Sequence, residues 1–339
     1  MKNLKKIIGR FSKARVMVLG DLILDEYIWG DVERISPEAP VPVIWAKRRS
    51  YVPGGVANVA HNISSLDGSA SISGVVGRRD DKNTHILLNG LKKENIECGG
   101  VFSDERHTTV KTRIIAGHQQ VIRVDWEDTH HLAGSLNQKI YNFISKNINK
   151  VDALIIEDYG KGVVNPKLTE MIIALARSKG KIITVDPKEE NFRYYGGVTC
   201  ITPNRREAEN AVRNLKINDM TNTFKVNTDK LTSDEDLNRA GNELVKFLSL
   251  DSLLITLGEN GMKLFDGGSI TNIATQAQEV FDVSGAGDTV IAVFTLALAC
   301  GASKIEAAGL ANIAAGIVVG KVGTAVATRK ELLSRIEEL

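Results

Sequence analysis

The chain has 339 residues, 43% of them apolar and 25% charged, and a formal net charge of +2. That is the make-up of a globular protein with a large core, and it gives no global argument for a nucleic-acid or membrane partner. Three widely spaced cysteines (Cys98, Cys200, Cys300) form neither a disulfide framework nor a metal spacing, so each is expected as a small buried hydrophobe.

Residues 1–13 are basic but lack the apolar core of a secretory signal, and the longest apolar run, 290–300, is shorter than the roughly 20 residues that cross a bilayer. A cytoplasmic enzyme is expected. Residues 15–20 read as a short apolar strand, and 55–66 as a helix entered through Gly54 and Gly55. A β-like run at 70–76 and an amphipathic helix at 80–96 follow. Strand signals at 152–157 and 181–186 flank a helix at 166–178 with Pro166 at its first position. Residues 214–233 read as a solvated polar insertion. Thr232 with Glu235 and Ser303 with Glu306 match capping boxes, opening helices near 233–248 and 304–319. This alternation predicts a three-layer α/β/α domain, single over 1–339, with a mainly parallel sheet. Two extended stretches interrupt it, at about 26–48 (with Pro37, Pro40 and Pro42) and 98–126. They are expected to pair as a small β-sheet lid, a packed edge sheet being the alternative.

The run Asp282-Val-Ser-Gly-Ala-Gly-Asp-Thr289 precedes a buried helix. Gly285, Ala286 and Gly287 leave backbone N–H groups bare at the positive end of that helix, an arrangement that attracts phosphate oxygens. Asp288 stands where it can take a proton from an attacking hydroxyl. Together they point to phosphoryl transfer to an alcohol; an ordinary strand-to-helix turn is the alternative. Val290 occupies the place of the third dinucleotide-fingerprint glycine, and no Walker loop occurs, so a nucleotide would bind without a Walker lysine.

Asp21 ends the first strand, where open α/β sheets bind ligands, and is placed to accept from sugar hydroxyls, as is Asn58 beyond Gly54 and Gly55. Glu157 and Asp158 before Lys161, and Asp186 before Lys188, pair strand-ending acids with lysines suited to phosphate. Asn204 and Glu207 share a helix face and are placed to organise the hydration shell of Mg²⁺. Thr256, Gly258 and Gly261 follow a strand at 253–255 and can lay backbone against a nucleotide. The six histidines give no metal pattern; His118 falls in the expected lid, and His130 and His131 in a solvated loop. No Gly-x-Ser-x-Gly elbow supports a serine hydrolase.

Gly54-Gly55-x-x-Asn58, Asn204-x-x-Glu207 and Asp282-x-x-Gly-Ala-Gly-Asp288 together resemble the ribokinase/PfkB family of sugar kinases. Within it, the heptose 7-phosphate kinase branch is similar in Gly20-Asp-Leu-Ile-Leu-Asp25, Arg34-Ile-Ser-Pro-Glu-Ala-Pro-Val-Pro42, His118-Gln-Gln-Val-Ile-Arg123, Asp158-Tyr-Gly-Lys-Gly162, Val185-Asp-Pro-Lys188 and Thr275-Gln-Ala-Gln-Glu279. The resemblance spans about 14–330. It implies a ribokinase-like three-layer sandwich with a β-lid, ATP and Mg²⁺ as cofactors, and Asp288 as base beside the 285–287 amides.

The same resemblance sets Asn204 and Glu207 on Mg–ATP, Thr256, Gly258 and Gly261 on the nucleotide, and Asp21, Gly54, Gly55 and Asn58 on the sugar. Asp282 is implied as an aid to a monovalent cation such as K⁺. Arg113, Arg123, Lys161 and Lys188 are candidates for the sugar's existing phosphate. The implied reaction phosphorylates the C1 hydroxyl of D-glycero-D-manno-heptose 7-phosphate, toward ADP-heptose and lipopolysaccharide core, in a homodimer paired through lid strands. Its partners would be the sugar phosphate and ATP, with neither nucleic acid nor membrane. Another PfkB kinase (for a fructose phosphate, ribose or a nucleoside) and a non-catalytic sugar-phosphate sensor are the alternatives. Arg205 and Arg206 depart from the small or polar residues usual there. A His-x-Gly-His nucleotidyltransferase motif is absent, from which a stand-alone kinase is expected.

Overall fold

The computed structural model describes residues 2–117, 119–219, 223–226, 230–277, 279–321 and 323–338. At its centre lies β1 (Arg15–Ile35), whose first half alternates Val16 and Val18 toward one core with Met17 and Leu19 toward the other. A strand buried on both faces belongs inside a parallel sheet. Accordingly β1 pairs in parallel with β3 (Ser69–Val76) on one side and β7 (Ala153–Glu157) on the other. With β4 (Glu97–Ser103), β8 (Ile182–Asp186), β9 (Cys200–Ile201), β10 (Ser252–Thr256), β11 (Met262–Asp266) and β12 (Ser269–Ile273), the order is β12-β11-β10-β9-β8-β7-β1-β3-β4. Only the β10–β11 and β11–β12 pairings are antiparallel within this sheet.

Helices cover both faces. α2 (Val56–Ser65), α8 (Ala286–Ala299) and α9 (Lys304–Val319) share one core; α4 (Gly134–Asn147), α5 (Pro166–Ser178), α6 (Arg205–Asn218) and α7 (Asp234–Phe247) share the other. The α8 helix is buried almost all round between its neighbours, as expected of a helix apolar on every side. Among the described residues no helix is long and apolar enough to cross a membrane.

The main differences from the sequence reading concern β1 and the lid. β1 does not stop at residue 20 but runs on past Asp21 out of the main sheet. There it pairs antiparallel with β2 (Pro42–Gly55) and parallel with β5 (Thr109–Ala116), which carries β6 (Gln119–Trp126) at its far side. The passage is tight at Gly20: a Cβ there would overlap the Glu157 carbonyl. Residues 97–103 add the edge strand β4 to the main sheet, so the second lid segment starts at Thr109.

The Thr232 box is displaced by one residue. Ser233 is the cap, its hydroxyl accepting the Asp236 N–H at 3.1 Å, and it outcompetes Thr232 by lying in extended conformation next to the first helical residue. The Ser303–Glu306 box forms as expected. The helix read at 80–96 is α3 (Lys82–Lys93), capped by Asp81. In the stretch expected to be solvated, α6 continues to Asn218, and Phe224, Val226 and Leu231 are buried, Phe224 meeting Phe247 edge-on at 5.1 Å. Cys200 and Cys300 are buried and Cys98 is half-buried. His118 and Gln278 lie outside the described residues.

Candidate active site

Parallel register brings the ends of the central strands together, with Gly20 beside Glu157 and Glu157 beside Asp186. Above them starts α8. Its cap, Gly285, has φ +78°, and a Cβ there would come within 2.8 Å of Asn58 Nδ2. Only glycine fits both demands. The Ala286 N–H is used by the Val283 carbonyl at 3.2 Å, so it is not bare as expected; those of Gly285 and Gly287 have no partner among the described residues.

Asp288 follows in the first turn, 5% exposed. Its Oδ2 accepts from Asn58 Nδ2 at 2.6 Å and its Oδ1 from the Tyr159 hydroxyl at 2.9 Å. Asn62, one turn beyond Asn58 on α2, donates to the Asn58 carbonyl and accepts from Thr289, locking α2 to α8 at the base. Burial raises the Asp288 carboxyl above its ordinary value, against the pull of the Asn58 and Tyr159 bonds.

Glu157, Asp186 and Asp288 each offer a carboxylate oxygen within 4.8 Å of the others. Glu157 is 1% exposed, yet neither of its oxygens has a hydrogen-bond donor among the described residues. Buried polar atoms are seldom left so. Burial first, and then the neighbouring carboxylates, push Glu157 and Asp186 well above the ordinary carboxyl range. Hard oxygen donors that include an orphaned carboxylate fit a hard divalent cation such as Mg²⁺.

Asn204 and Glu207 meet as a reciprocal cap of α6: Asn204 Oδ1 accepts the Glu207 N–H at 2.9 Å, and Glu207 Oε2 the Asn204 N–H at 2.8 Å. One Glu207 oxygen remains, and its charge is among those that raise Asp186. Asp282 is used twice by backbone, accepting from Ser284 N at 2.9 Å and Gly323 N at 3.1 Å, which ties the glycine turn to the segment after α9.

Thr256, Gly258 and Gly261 line a cavity of about 430 Å³ that reaches Ala286 and Gly287. Two further residues of its wall escaped the sequence reading. Gly316 lets the chain at Gln276 close over α9, since a Cβ would meet that backbone at 2.9 Å. Asn312 donates to the Ala274 carbonyl at 2.6 Å, and its own oxygen has no partner among the described residues. Their signal is only the small-residue stripe of α9, which core packing explains equally well.

Where β1 leaves the main sheet, the Asp21 carboxylate accepts three backbone N–H groups, from Tyr159, Lys161 and Val163, at 3.0–3.1 Å. Burial and the nearby Asp158 charge push its pKa up to about 6. Gly54 is required because the Asp25 carboxylate occupies the place of its Cβ, and Gly55 (φ +55°) starts α2.

Lys161 is paired with Glu127 at 2.7 Å, and Lys188 with Glu189 at 3.2 Å. Arg113 pairs with Asp25, and Arg123 holds Asp125 through two bonds. In the lid register Arg113 lies directly opposite Arg123, and Lys111 is two residues away on the same face. Asp25 and Asp125 offset the repulsion between these facing like charges. The Lys111 ammonium has no ion pair or hydrogen bond among the described residues and stands 5.1 Å from the Tyr159 ring centroid. Burial lowers its pKa. The alternation Lys111-Thr-Arg113 was its signal, readable only once the strand was known to face the site.

Comparison with known proteins bears on the family and the fold. The model of the "pfkB family carbohydrate kinase" matches residues 13–331. A "Bifunctional protein HldE" of Geobacter metallireducens is 42% identical over 98% of this chain and 65% of the relative; one of Helicobacter hepaticus is 41% identical over 97% of the chain and 65% of the relative. The chain thus spans about two thirds of the length of these relatives. Among solved structures, phosphofructokinase-2 from Escherichia coli in complex with potassium superposes with a TM-score of 0.75 at 20% identity, over 96% of this chain and 99% of the other. Arabidopsis thaliana ribokinase complexed with ribose and ATP gives 0.72 at 18%, over 96% and 99%. The fold is therefore the ribokinase-like three-layer sandwich.

Proposed function

The chain belongs to the pfkB family of carbohydrate kinases and is an ATP-dependent kinase, and we propose that its acceptor is the C1 hydroxyl of D-glycero-D-manno-heptose 7-phosphate. One observation carries the choice of a phosphorylated sugar: anion-binding groups stand on both sides of the base. The free amides of Gly285 and Gly287 lie at one side, and the Lys111 ammonium at the other, on the lid face it shares with Arg113 and Arg123, which Asp25 and Asp125 hold. An unphosphorylated acceptor has no need of the second set. The relatives called HldE at 41–42% identity support the heptose branch. On this reading the product is the 1,7-bisphosphate, in the route to ADP-heptose and lipopolysaccharide core.

In this mechanism the adenosine lies in the cavity bounded by Thr256, Gly258, Gly261 and Asn312, and the phosphate chain runs to the α8 turn. Asn58 and Tyr159 orient Asp288, which accepts the proton of the attacking hydroxyl. Asp21 shapes the loop that borders the sugar by holding three of its amides. Mg²⁺ would be held by Glu157 and Asp186, with Glu207 through water, and would neutralise phosphate charge. Asp282 would serve a K⁺ site indirectly, by fixing the turn. The domain would pair with a second copy through the outer lid face, where Ile122, Val124 and the 62%-exposed Trp126 alternate along β6.

The test is an ADP-release assay with heptose 7-phosphate, fructose 6-phosphate, ribose and a nucleoside. Heptose 7-phosphate should give the highest kcat/KM, and a preference for unphosphorylated ribose would overturn the assignment. Lys111→Met should raise KM for the sugar phosphate about 10–100-fold, the weight of one hydrogen bond to a charged group. KM for ATP should stay within about twofold. Equal effects on both substrates would remove Lys111 from the sugar site.

A further inference from the structure

Tyr159 stands where the loop after β7 begins, and its backbone is fixed before its ring is placed. Asp21 holds its N–H at 3.1 Å, together with those of Lys161 and Val163. From that anchor the phenol reaches Asp288 Oδ1 at 2.9 Å. A carboxylate turns easily about its last torsion. Here donors on both oxygens, Tyr159 on one and Asn58 at 2.6 Å on the other, set its plane. The opposite contact of the same ring is with the lid: the Lys111 ammonium lies 5.1 Å from its centroid, within cation–π range. Tyr159 therefore touches both the base and a cation carried on a lid strand.

We propose that Tyr159 is a positioning residue that couples the lid to the base, so that closure over a phosphorylated sugar holds Asp288 aimed at the acceptor hydroxyl. This rests on the reading of Asp288 as the base. The Lys111 ammonium makes no ion pair or hydrogen bond among the described residues, only the looser attraction of Asp25 and Asp125. When the sugar's phosphate draws the lid inward, the ammonium bears on the ring, and the phenol O–H keeps its place on Oδ1. With the lid open, the same O–H is less constrained and the base is less well aimed. Turnover in the absence of a bound phosphorylated acceptor is thereby disfavoured.

The protein supplies its own reporter of the lid. Its three tryptophans, Trp29, Trp45 and Trp126, all lie on lid strands. Intrinsic fluorescence therefore follows closure without a label. Tyr159→Phe keeps the ring and loses only the O–H. It should lower kcat about 10–100-fold, keep KM for ATP within about twofold, and retain the fluorescence change on adding the sugar phosphate. Lys111→Met should lose or weaken that change and also lower kcat. In the double variant the two kcat losses should fall well short of multiplying, because both act through one contact. A Tyr159→Phe enzyme with near-normal kcat, or losses that multiply, would overturn the coupling. If Asp288→Asn itself turned over normally, the fault would lie instead with the assignment of the base.

Discussion

Asp288→Asn is expected to lower kcat by about 10²–10⁴-fold, the usual contribution of a positioned general base, with ATP binding unchanged. The substitution fits the site without rearrangement. An asparagine oxygen can still accept from Asn58, and its amide can donate to the Tyr159 hydroxyl, which also accepts. The negative charge that disappears is one of those raising Glu157 and Asp186, so the folded state is relieved rather than strained. The cavity proposed for the nucleotide is lined by other side chains and keeps its shape. Single-turnover kinetics with a parallel ATP titration separates the two effects. Near-normal turnover would remove Asp288 from proton transfer. Loss of ATP affinity equal to the loss of kcat would make it a binding residue.

The parts of the site that sequence reveals are those set by local chemistry. A glycine-rich turn before a buried helix marks the start of α8, and acids at strand ends mark the edge where the central strands end. Pro166 and the Ser303 box place helix starts within a residue. Convergence is another matter. Glu157 and Asp186 meet because their strands are in register, which no spacing in the chain records. Lys111 and Tyr159 were missed for the same reason, one lying on the lid and the other on a loop of the main domain. The length of β1 was hidden too. Nothing in the sequence breaks at Asp21, because the strand changes partners there without changing conformation. Phe224, Val226 and Leu231 were lost in a polar run whose few apolar residues carry no helical or strand period, though they fill the core beside α7.

The concentration of buried acids should invert the ordinary dependence of stability on pH. Without substrates or divalent cations, the protein should melt at least about 5 °C higher at pH 5 than at pH 8. Asp21 shows the sign most plainly, since burial raises it from the usual 3.8 to about 6. Between those values the folded chain keeps a proton that the unfolded chain has released, so stability falls as pH rises through the interval and the loss is complete above it. For this one carboxyl, the part of that interval above pH 5 corresponds to about 1.4 kcal/mol, or a few degrees in Tm. Asp25, Glu157, Asp158, Asp186, Glu207 and Asp288 are raised as well and act in the same direction. His61, whose imidazole burial keeps below its usual value, opposes them alone among the histidines with a resolved shift. The carboxylates that are held low, such as Asp81 and Glu331, exert their effect below their usual values and leave the window from pH 5 to 8 untouched. Mg²⁺ should recover part of the loss at pH 8 and little at pH 5, because protons and the cation compete for Glu157 and Asp186. Thermal melts at four pH values, with and without Mg²⁺, decide the matter. A Tm that is flat or rises from pH 5 to 8 in the cation-free protein would mean that these acids are ionised and solvated, and the cluster would lose its claim to be the cation's seat.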